Sequence, residues 1–510
     1  MKPYVLALDQ GTTSSRAVLF DENCRMLRTA RHEINQFFPR SGWVEHDPAE
    51  IWRTQIQGAK QAMGKHGSRV AGIGVANQRE TTIVWDRRTG RPVYKAIVWQ
   101  CRRTAPIVHE LKAKGLFSYI RRTTGLIPDA YFSGPKITWI LRHVPRARAK
   151  AKRGDLAFGT VDTYLLWKLT GGRVHATDYS NASRTMIFDI ARKRWDQQLL
   201  DALDIPSDML PEVKPSNEVF GFTDKALFGK EIPICGVLGD QQAALFGQAC
   251  FDKGAVKNTY GTGCFILSNV GDHSSVPKSR LLSTIAWVLG QKATYALEGS
   301  VFIGGAVLQW LRDGLRIIEK SSDSEKIGRR TPDSGGVFFV PALTGLGAPY
   351  WDMYARGMII GITRDTTRNH IIRAALESIC LQTADVIDAM TVSSGMRMKS
   401  LAVDGGASVN NLLMQLQADL LALRVERPVI FETTALGAAF VAGLSSGVWS
   451  DLKELRHLRR VGRVFRPSMP KAVRSQIRAS WRLAVGKALG WADPTRSIPK
   501  SLSNGQLGRR

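Results

Sequence analysis

The sequence predicts an α/β protein of two domains, with mixed sheets flanked by helices and a cleft between the domains. Three observations predict it. At 510 residues the chain exceeds what one hydrophobic core comfortably serves. Residues 5–20 run as four apolar side chains into Asp9, turn at Gly11 with hydroxyls at Thr12, Thr13, Ser14 and Ser15, and leave through Arg16 into a second apolar run. Residues 255–267 repeat the arrangement, entering a turn at Gly261, Thr262 and Gly263 and leaving as an apolar strand. Two such hairpins, about half a chain apart, point to related domains that face each other across a nucleotide. We place them at 1–249 and 250–510.

The first hairpin carries phosphate-seeking chemistry. Gly11 lets a ligand approach the backbone closely, and Thr12, Thr13, Ser14 and the turn N–H groups can donate to phosphate oxygens. Arg16 adds a fixed positive charge, and Asp9, at a strand end, suits a hydrated Mg²⁺ held through its waters. A plain hairpin with a polar turn would look similar, and the second copy is what separates the two readings.

Further along, Asp47 and Pro48 read as the N-cap and first position of a helix. A strand at 73–76 delivers Asn77-Gln78-Arg79-Glu80 to a turn. The Arg79-Glu80 pair is either solvated or a grip on vicinal hydroxyls, the arginine donating and the glutamate accepting. Residues 81–85 leave the turn as another strand; Trp99, ending a third, is either core or a cover for the C–H face of a polyol, and Tyr131, in a loop opening a helix, is either a packing residue or a hydroxyl donor. Val161-Asp162-Thr163 reads as an N-cap, and residues 177–184 as an irregular loop near the cleft.

A buried strand at 232–239 then delivers Asp240-Gln241-Gln242 to a helix. Asp240 is either its N-cap or a base that accepts a hydroxyl proton as the oxygen attacks phosphorus. Residues 299–311 read as a helix with Gly304 and Gly305 inside, glycines explained by the approach of another backbone or a flat ligand. Residues 401–411 read as strand, glycine turn and helix start, with Gly406 and Asn410 suited to a nucleoside. An amphipathic basic helix over 471–492 is expected to dock Ile477, Trp481, Val485 and Leu489 on the fold, and the tail past Pro494 to be disordered.

Composition narrows the classes. The chain is 44% hydrophobic and 23% charged, an ordinary globular balance, and no apolar run approaches the roughly 18 residues of a membrane-spanning helix. With no room for a signal peptide ahead of the first strand and six scattered cysteines without metal-ligand spacing, a cytoplasmic protein with reduced thiols is expected. The formal net charge of +27 concentrates towards the C-terminus, but no nucleic-acid motif accompanies it, so nucleic acid is not an expected partner.

Neither a P-loop nor a G-x-G-x-x-G occurs. Instead Leu8-Asp9-Gln10-Gly11-Thr12-Thr13-Ser14-Ser15-Arg16, Gly42-Trp43-Val44-Glu45-His46-Asp47-Pro48, Asn77-Gln78-Arg79-Glu80-Thr81-Thr82, Trp99-Gln100-Cys101-Arg102-Arg103, Gly239-Asp240-Gln241-Gln242 and Asn258-Thr259-Tyr260-Gly261-Thr262-Gly263 closely resemble the glycerol kinases of the FGGY carbohydrate kinase family, within the actin, Hsp70 and sugar-kinase superfamily. The resemblance implies an actin-like ATPase (ribonuclease H-like) fold and phosphorylation of glycerol to sn-glycerol 3-phosphate, or of another small polyol or ketose. It implies that Arg79, Glu80, Tyr131, Asp240 and Gln241 contact glycerol, with Trp99 and Phe265 as apolar wall. It implies that Thr12, Thr13, Ser14, Arg16 and Thr262 surround the phosphates of ATP or ADP, and that Gly305, Gln309, Gly406 and Asn410 line the nucleoside. Asp240 would be the base, Asp9 the acid on the Mg²⁺ side, and the assembly a homodimer or homotetramer. The chain departs from relatives at Ile127-Pro128-Asp129-Ala130, and between Phe222 and Glu231 it lacks the glycine- and arginine-bearing loop by which some bind fructose 1,6-bisphosphate.

Overall fold

A computed structural model of the protein describes residues 3–274, 276–277 and 279–493; the tail past Pro494 lies outside the described residues. Two large mixed sheets organise it. The first runs, edge to edge, Gly221–Phe222, Pro233–Gly239, Val70–Asn77, Tyr4–Gln10, Ser14–Phe20 and Met26–Glu33. The second runs Leu282–Leu289, Lys292–Val301, Cys264–Gly271, Val256–Tyr260, Ser400–Asp404, Arg424–Pro428 and Val461–Phe465.

The repeat expected from the sequence is present in the topology. In the first sheet Tyr4–Gln10 pairs antiparallel with its hairpin partner, Asp9 opposite Arg16, and parallel with Val70–Asn77, which pairs parallel with Pro233–Gly239. In the second, Val256–Tyr260 pairs antiparallel with Cys264–Gly271 and parallel with Ser400–Asp404, which pairs parallel with Arg424–Pro428. Strands buried on both faces need apolar residues throughout, and Val5, Leu6, Ala7 and Leu8 are accordingly all fully buried. Each set of parallel strands delivers polar residues at its carboxyl end, the usual place for ligands in such sheets: Asp9, Asn77, Asp240 just beyond Gly239, and Asp404.

The two halves meet through crossed helices. The helix Thr433–Ser445 packs on the helix Asp240–Gly247 and on four strands of the first sheet. The approach is so close that a Cβ on Gly437 would sit 1.8 Å from the Ala243 carbonyl oxygen, and one on Gly74 2.1 Å from that of Ala438. The apolar cluster there joins Val5, Ala7 and Val18 to Ala435, Ala439 and Trp449. The final helix, Lys471–Ala488, ends four residues before 492 and docks Trp481 and Val485 into the second core, while Ile477 packs at its edge.

Three local expectations change. The segment 299–311 is not one helix: the strand continues to Val301, and the helix Ala306–Asp313 begins after both glycines. Residues 177–184 are more ordered than a loop, with a strand Ala176–Asp178 and a helix Tyr179–Ala182 capped by Asp178. Asp162 is not an N-cap. The cap position is Thr160, and the buried Asp162 carboxylate instead accepts from the hydroxyls of Thr160 and Thr177.

Candidate active site

The strand Val70–Asn77 ends in a tight turn where the Thr81 N–H donates to the Arg79 carbonyl at 2.6 Å. Glu80 sits there with φ +59°, a left-handed conformation that a non-glycine residue adopts at some energetic cost, as residues at functional sites often do. Both side chains are buried, which excludes the solvated reading of the pair. The Arg79 guanidinium makes a bidentate contact with Glu298, at 2.6 and 2.9 Å, and its Nε lies 3.3 Å from Asp240 Oδ1. Arg184 completes the cluster, donating to Glu80 at 2.6 Å and to Glu298 at 3.0 Å. Two arginines and two glutamates thus neutralise one another out of contact with bulk solvent, the condition under which buried charge is tolerated. Burial pushes Glu298 up, but Arg184 and Arg79 outweigh it and hold the carboxyl at about 2. For Glu80 burial prevails over the same two arginines and its carboxyl is raised.

Asp240 opens the helix Asp240–Gly247, whose N-cap position is Gly239. A side chain on Gly239 would meet Arg79 Cδ at 2.7 Å, so glycine is what allows the arginine to pass. Asp240 is therefore free of the capping role, and its Oδ1 accepts from the Gln241 N–H at 2.7 Å. Burial raises its carboxyl, opposed by Arg79 and Lys257.

Trp99, Tyr131 and Phe265 come together from three separate segments. Trp99 meets Tyr131 edge-on at 5.4 Å and Phe265 at 6.2 Å between ring centroids, and Phe265 belongs to the second half of the chain. The Trp99 indole N–H donates to Thr12 Oγ1 at 3.0 Å, tying this aromatic wall to the first hairpin. At that hairpin Arg16 lies 3.7 Å from Asp9 and forms an ion pair with Glu432, which precedes the crossing helix Thr433–Ser445. Burial raises Asp9 to about 6, countered by Arg16 and reinforced by the Asp240 carboxylate. A buried carboxylate raised in this way suits a neighbouring positive charge. Among the described residues no group of three or more His, Cys, Asp or Glu side chains is placed to hold a metal ion, and Asp9 is the one carboxylate of the hairpin that could meet a hydrated cation through its waters.

Of the other expected nucleotide residues, Ser14 is buried while Thr13 and Thr262 are exposed at their turns. Gly304 and Gly305 lie against the second turn, donating to the carbonyls of Thr262 at 2.8 Å and Gly261 at 2.9 Å. A Cβ on Gly305 would meet the Gly261 carbonyl oxygen at 2.8 Å, so the approach of another backbone accounts for these glycines. Gln309 and Gly406 are exposed. Asn410 is buried and its side-chain Oδ1 caps the helix Asn411–Leu421 by accepting from the Leu413 N–H, a structural duty the sequence reading did not foresee.

Residues 4–247 match the N-terminal domain of the FGGY family of carbohydrate kinases and residues 256–446 its C-terminal domain. The chain belongs to the FGGY family of carbohydrate kinases. It is 60% identical over 491 residues to glycerol kinase 2 of Thermotoga maritima, covering 96% of this chain and 99% of that one. It is 58% identical to the glycerol kinase of Symbiobacterium thermophilum, with the same coverage of both. Among solved structures, Plasmodium falciparum glycerol kinase with ADP superposes with a TM-score of 0.91 at 36% identity, over 96% of this chain and 98% of that chain. The ligand-bound xylulose kinase of Lactobacillus acidophilus, at 23% identity and a TM-score of 0.86, shares the fold.

In this FGGY kinase four site residues escape the sequence reading. Arg184, Glu298, Lys257 and Lys136 are fully buried beside the expected ones. Lys136 donates to the backbone carbonyls of Tyr131 and Glu80, and burial pulls its ammonium down to about 7. The signal that would have found Glu298 and Lys257 is a charged residue in the interior of a strand, between residues that are themselves buried. Such a residue needs a buried partner.

Proposed function

We propose that the chain transfers the terminal phosphoryl group of ATP to a primary hydroxyl of glycerol, giving sn-glycerol 3-phosphate and ADP. The observation that carries this is the convergence of the Arg79–Asp240 pair, 3.3 Å apart, with the ring edges of Trp99, Tyr131 and Phe265 beside the Arg16 hairpin. A pocket that is charged on one side and aromatic on the other suits a molecule with hydroxyls on one edge and C–H bonds on the other. The curated glycerol kinases named above, at 58 to 60% identity over nearly the full chain, support the same substrate.

In this reading Arg79 donates to, and Glu80 accepts from, two vicinal hydroxyls, with Tyr131 and Gln241 adding polar contacts and Trp99 and Phe265 covering the carbon chain. Asp240 takes the proton of the third hydroxyl as its oxygen bonds to phosphorus, and the bond from phosphorus to the ADP oxygen breaks. Its raised carboxyl strengthens it as an acceptor. Thr12, Thr13, Ser14, Arg16 and Thr262 hold the phosphates, and Gly305, Gln309, Gly406 and Asn410 the nucleoside. A Mg²⁺ on the Asp9 side, when bound, neutralises charge on the phosphate oxygens. Arg16 must exchange Glu432 for phosphate. Catalysis is then mainly positioning and water exclusion.

The same reading carries a division into 1–249 and 250–510, supported by family matches that end at 247 and resume at 256. It also carries a cytoplasmic setting, which suits six buried free thiols, and a homodimer or homotetramer, which sedimentation would test. The deciding experiment is ADP release with saturating MgATP against water, glycerol, dihydroxyacetone, erythritol, xylulose and ribulose. Strong preference for glycerol over a low water background is expected; preference for a longer acceptor would overturn the substrate, and acceptor-independent ATPase would overturn the transfer.

A further inference from the structure

Lys257 lies in the first strand of the second hairpin, five residues before Thr262, and is fully buried. Its Nζ donates to Gln241 Oε1 at 2.5 Å and to Thr259 Oγ1 at 2.9 Å. Both partners are neutral oxygens, so among the described residues the ammonium is buried without a contacting carboxylate. A valine or isoleucine would fill the interior of a strand at lower cost, so packing alone does not account for a lysine here. The lysine comes from the second half of the chain, whereas Gln241 opens the helix of the first half that carries Asp240.

An amide has one accepting end and one donating end. With Oε1 occupied by the lysine, the NH₂ end of Gln241 is the one left for a ligand. The Gln241 N–H in turn holds Asp240 Oδ1 at 2.7 Å, so one residue links the ammonium to the carboxylate. We infer that Lys257 is a positioning residue of the transfer site: it fixes the Gln241 amide so that its NH₂ end donates to an acceptor hydroxyl oxygen, while the Gln241 N–H holds Asp240. The inference rests on the functional reading above and deepens it.

The surrounding charges set the sign of its pH effect. Asp240 faces Arg79 at 3.3 Å, the Lys257 ammonium and the neighbouring Asp9, while Lys257 itself lies within the fields of Asp404, Asp240, Arg79 and Glu298. Burial lowers the ammonium to about 8, so it is charged through the neutral range. Removing that charge raises Asp240, and a base that must be ionised then fails at a higher pH.

The test is the pH profile of kcat and KM for glycerol, from pH 5 to 9, in the full-length protein and in Lys257→Met and Lys257→Gln, with folding and ADP binding checked for each. Lys257→Met is expected to raise KM about tenfold and to shift the acid limb of kcat upward by about half a pH unit or more. Lys257→Gln keeps a donor for Gln241 but not the charge. It should restore most of KM and leave the acid limb shifted. A folded methionine variant with unaltered KM and acid limb overturns the inference, and if that variant does not fold, an unmoved acid limb in the glutamine variant does so. Absence of glycerol-dependent turnover in the unaltered protein removes the functional reading and this inference together; unaltered-protein turnover with indifferent variants removes this inference alone.

Discussion

Glu298→Gln is the substitution whose cost can be worked most directly from the structure. The carboxylate accepts three charge-assisted hydrogen bonds, at 2.6 and 2.9 Å from Arg79 and 3.0 Å from Arg184, and none of it is exposed. Its carboxyl is held at about 2 against an ordinary 4.5. At 1.36 kcal/mol per pH unit that interval corresponds to ~3 kcal/mol of folding stability. Removing one partner of a buried ion pair commonly costs about 3–5 kcal/mol, so the two routes agree. The sign follows from the depressed carboxyl: the contribution is whole above pH 4.5 and is lost as pH falls towards 2. Urea unfolding of both proteins should therefore show a gap of ~3 kcal/mol at pH 7 that narrows to ~2 kcal/mol near pH 3.5. The same variant should raise KM for glycerol, since Arg79 loses its anchor. A gap under ~1 kcal/mol at pH 7, or one that widens on acidification, would refute the electrostatic account.

Asp240→Asn should leave folding and ADP binding near normal while lowering kcat by about 10²–10⁴-fold, the usual worth of a positioned base; unaltered turnover would remove Asp240 as proton acceptor. Lys136→Met strips a donor from the carbonyls of Glu80 and Tyr131, and each stranded acceptor costs about 1–3 kcal/mol. It should raise KM more than it lowers kcat, and an unaltered KM in a folded variant would show that the lysine does not set the turn. Gly437→Ala puts a methyl where the Ala243 carbonyl oxygen would lie 1.8 Å away, backbone against backbone. A loss of at least ~1–3 kcal/mol in urea unfolding is expected, together with slower turnover, and a variant of full stability would mean that the helix crossing yields more easily than its packing implies.

The parts of the site that were legible in the sequence are those with a local signature. A run of apolar residues into Asp9, a glycine and several hydroxyls specifies a hairpin tip within a dozen residues, and its repetition at Gly261 to Gly263 specified the second sheet as well. Asp240 was legible because a buried strand and a helix meet at it. Glu298 and Arg184 were not, since their partners lie 104 to 219 residues away and no spacing rule joins them. The segment holding Gly304 and Gly305 misled for a related reason. Glycines weigh against both helix and strand, so only the tertiary approach of the second turn shows that they lie between the two.

In the proposed reading the substrate side of the cleft is built from both halves of the chain. Arg79 belongs to the first half, but the group that orients it, Glu298, belongs to the second, as do Phe265 on the aromatic wall and Lys257 on Gln241. Under the proposed reading, any motion that parts the halves at the crossed helices also loosens Arg79, Gln241 and the wall. A site assembled only when the halves are together transfers phosphate when acceptor and nucleotide are both enclosed, and an open cleft holds neither Arg79 nor Asp240 in a geometry that would favour water. Glu432 fits the same logic from the nucleotide side. It occupies Arg16 from the start of the very helix that joins the halves, so the arrival of phosphate at Arg16 and the seating of that helix compete for one guanidinium.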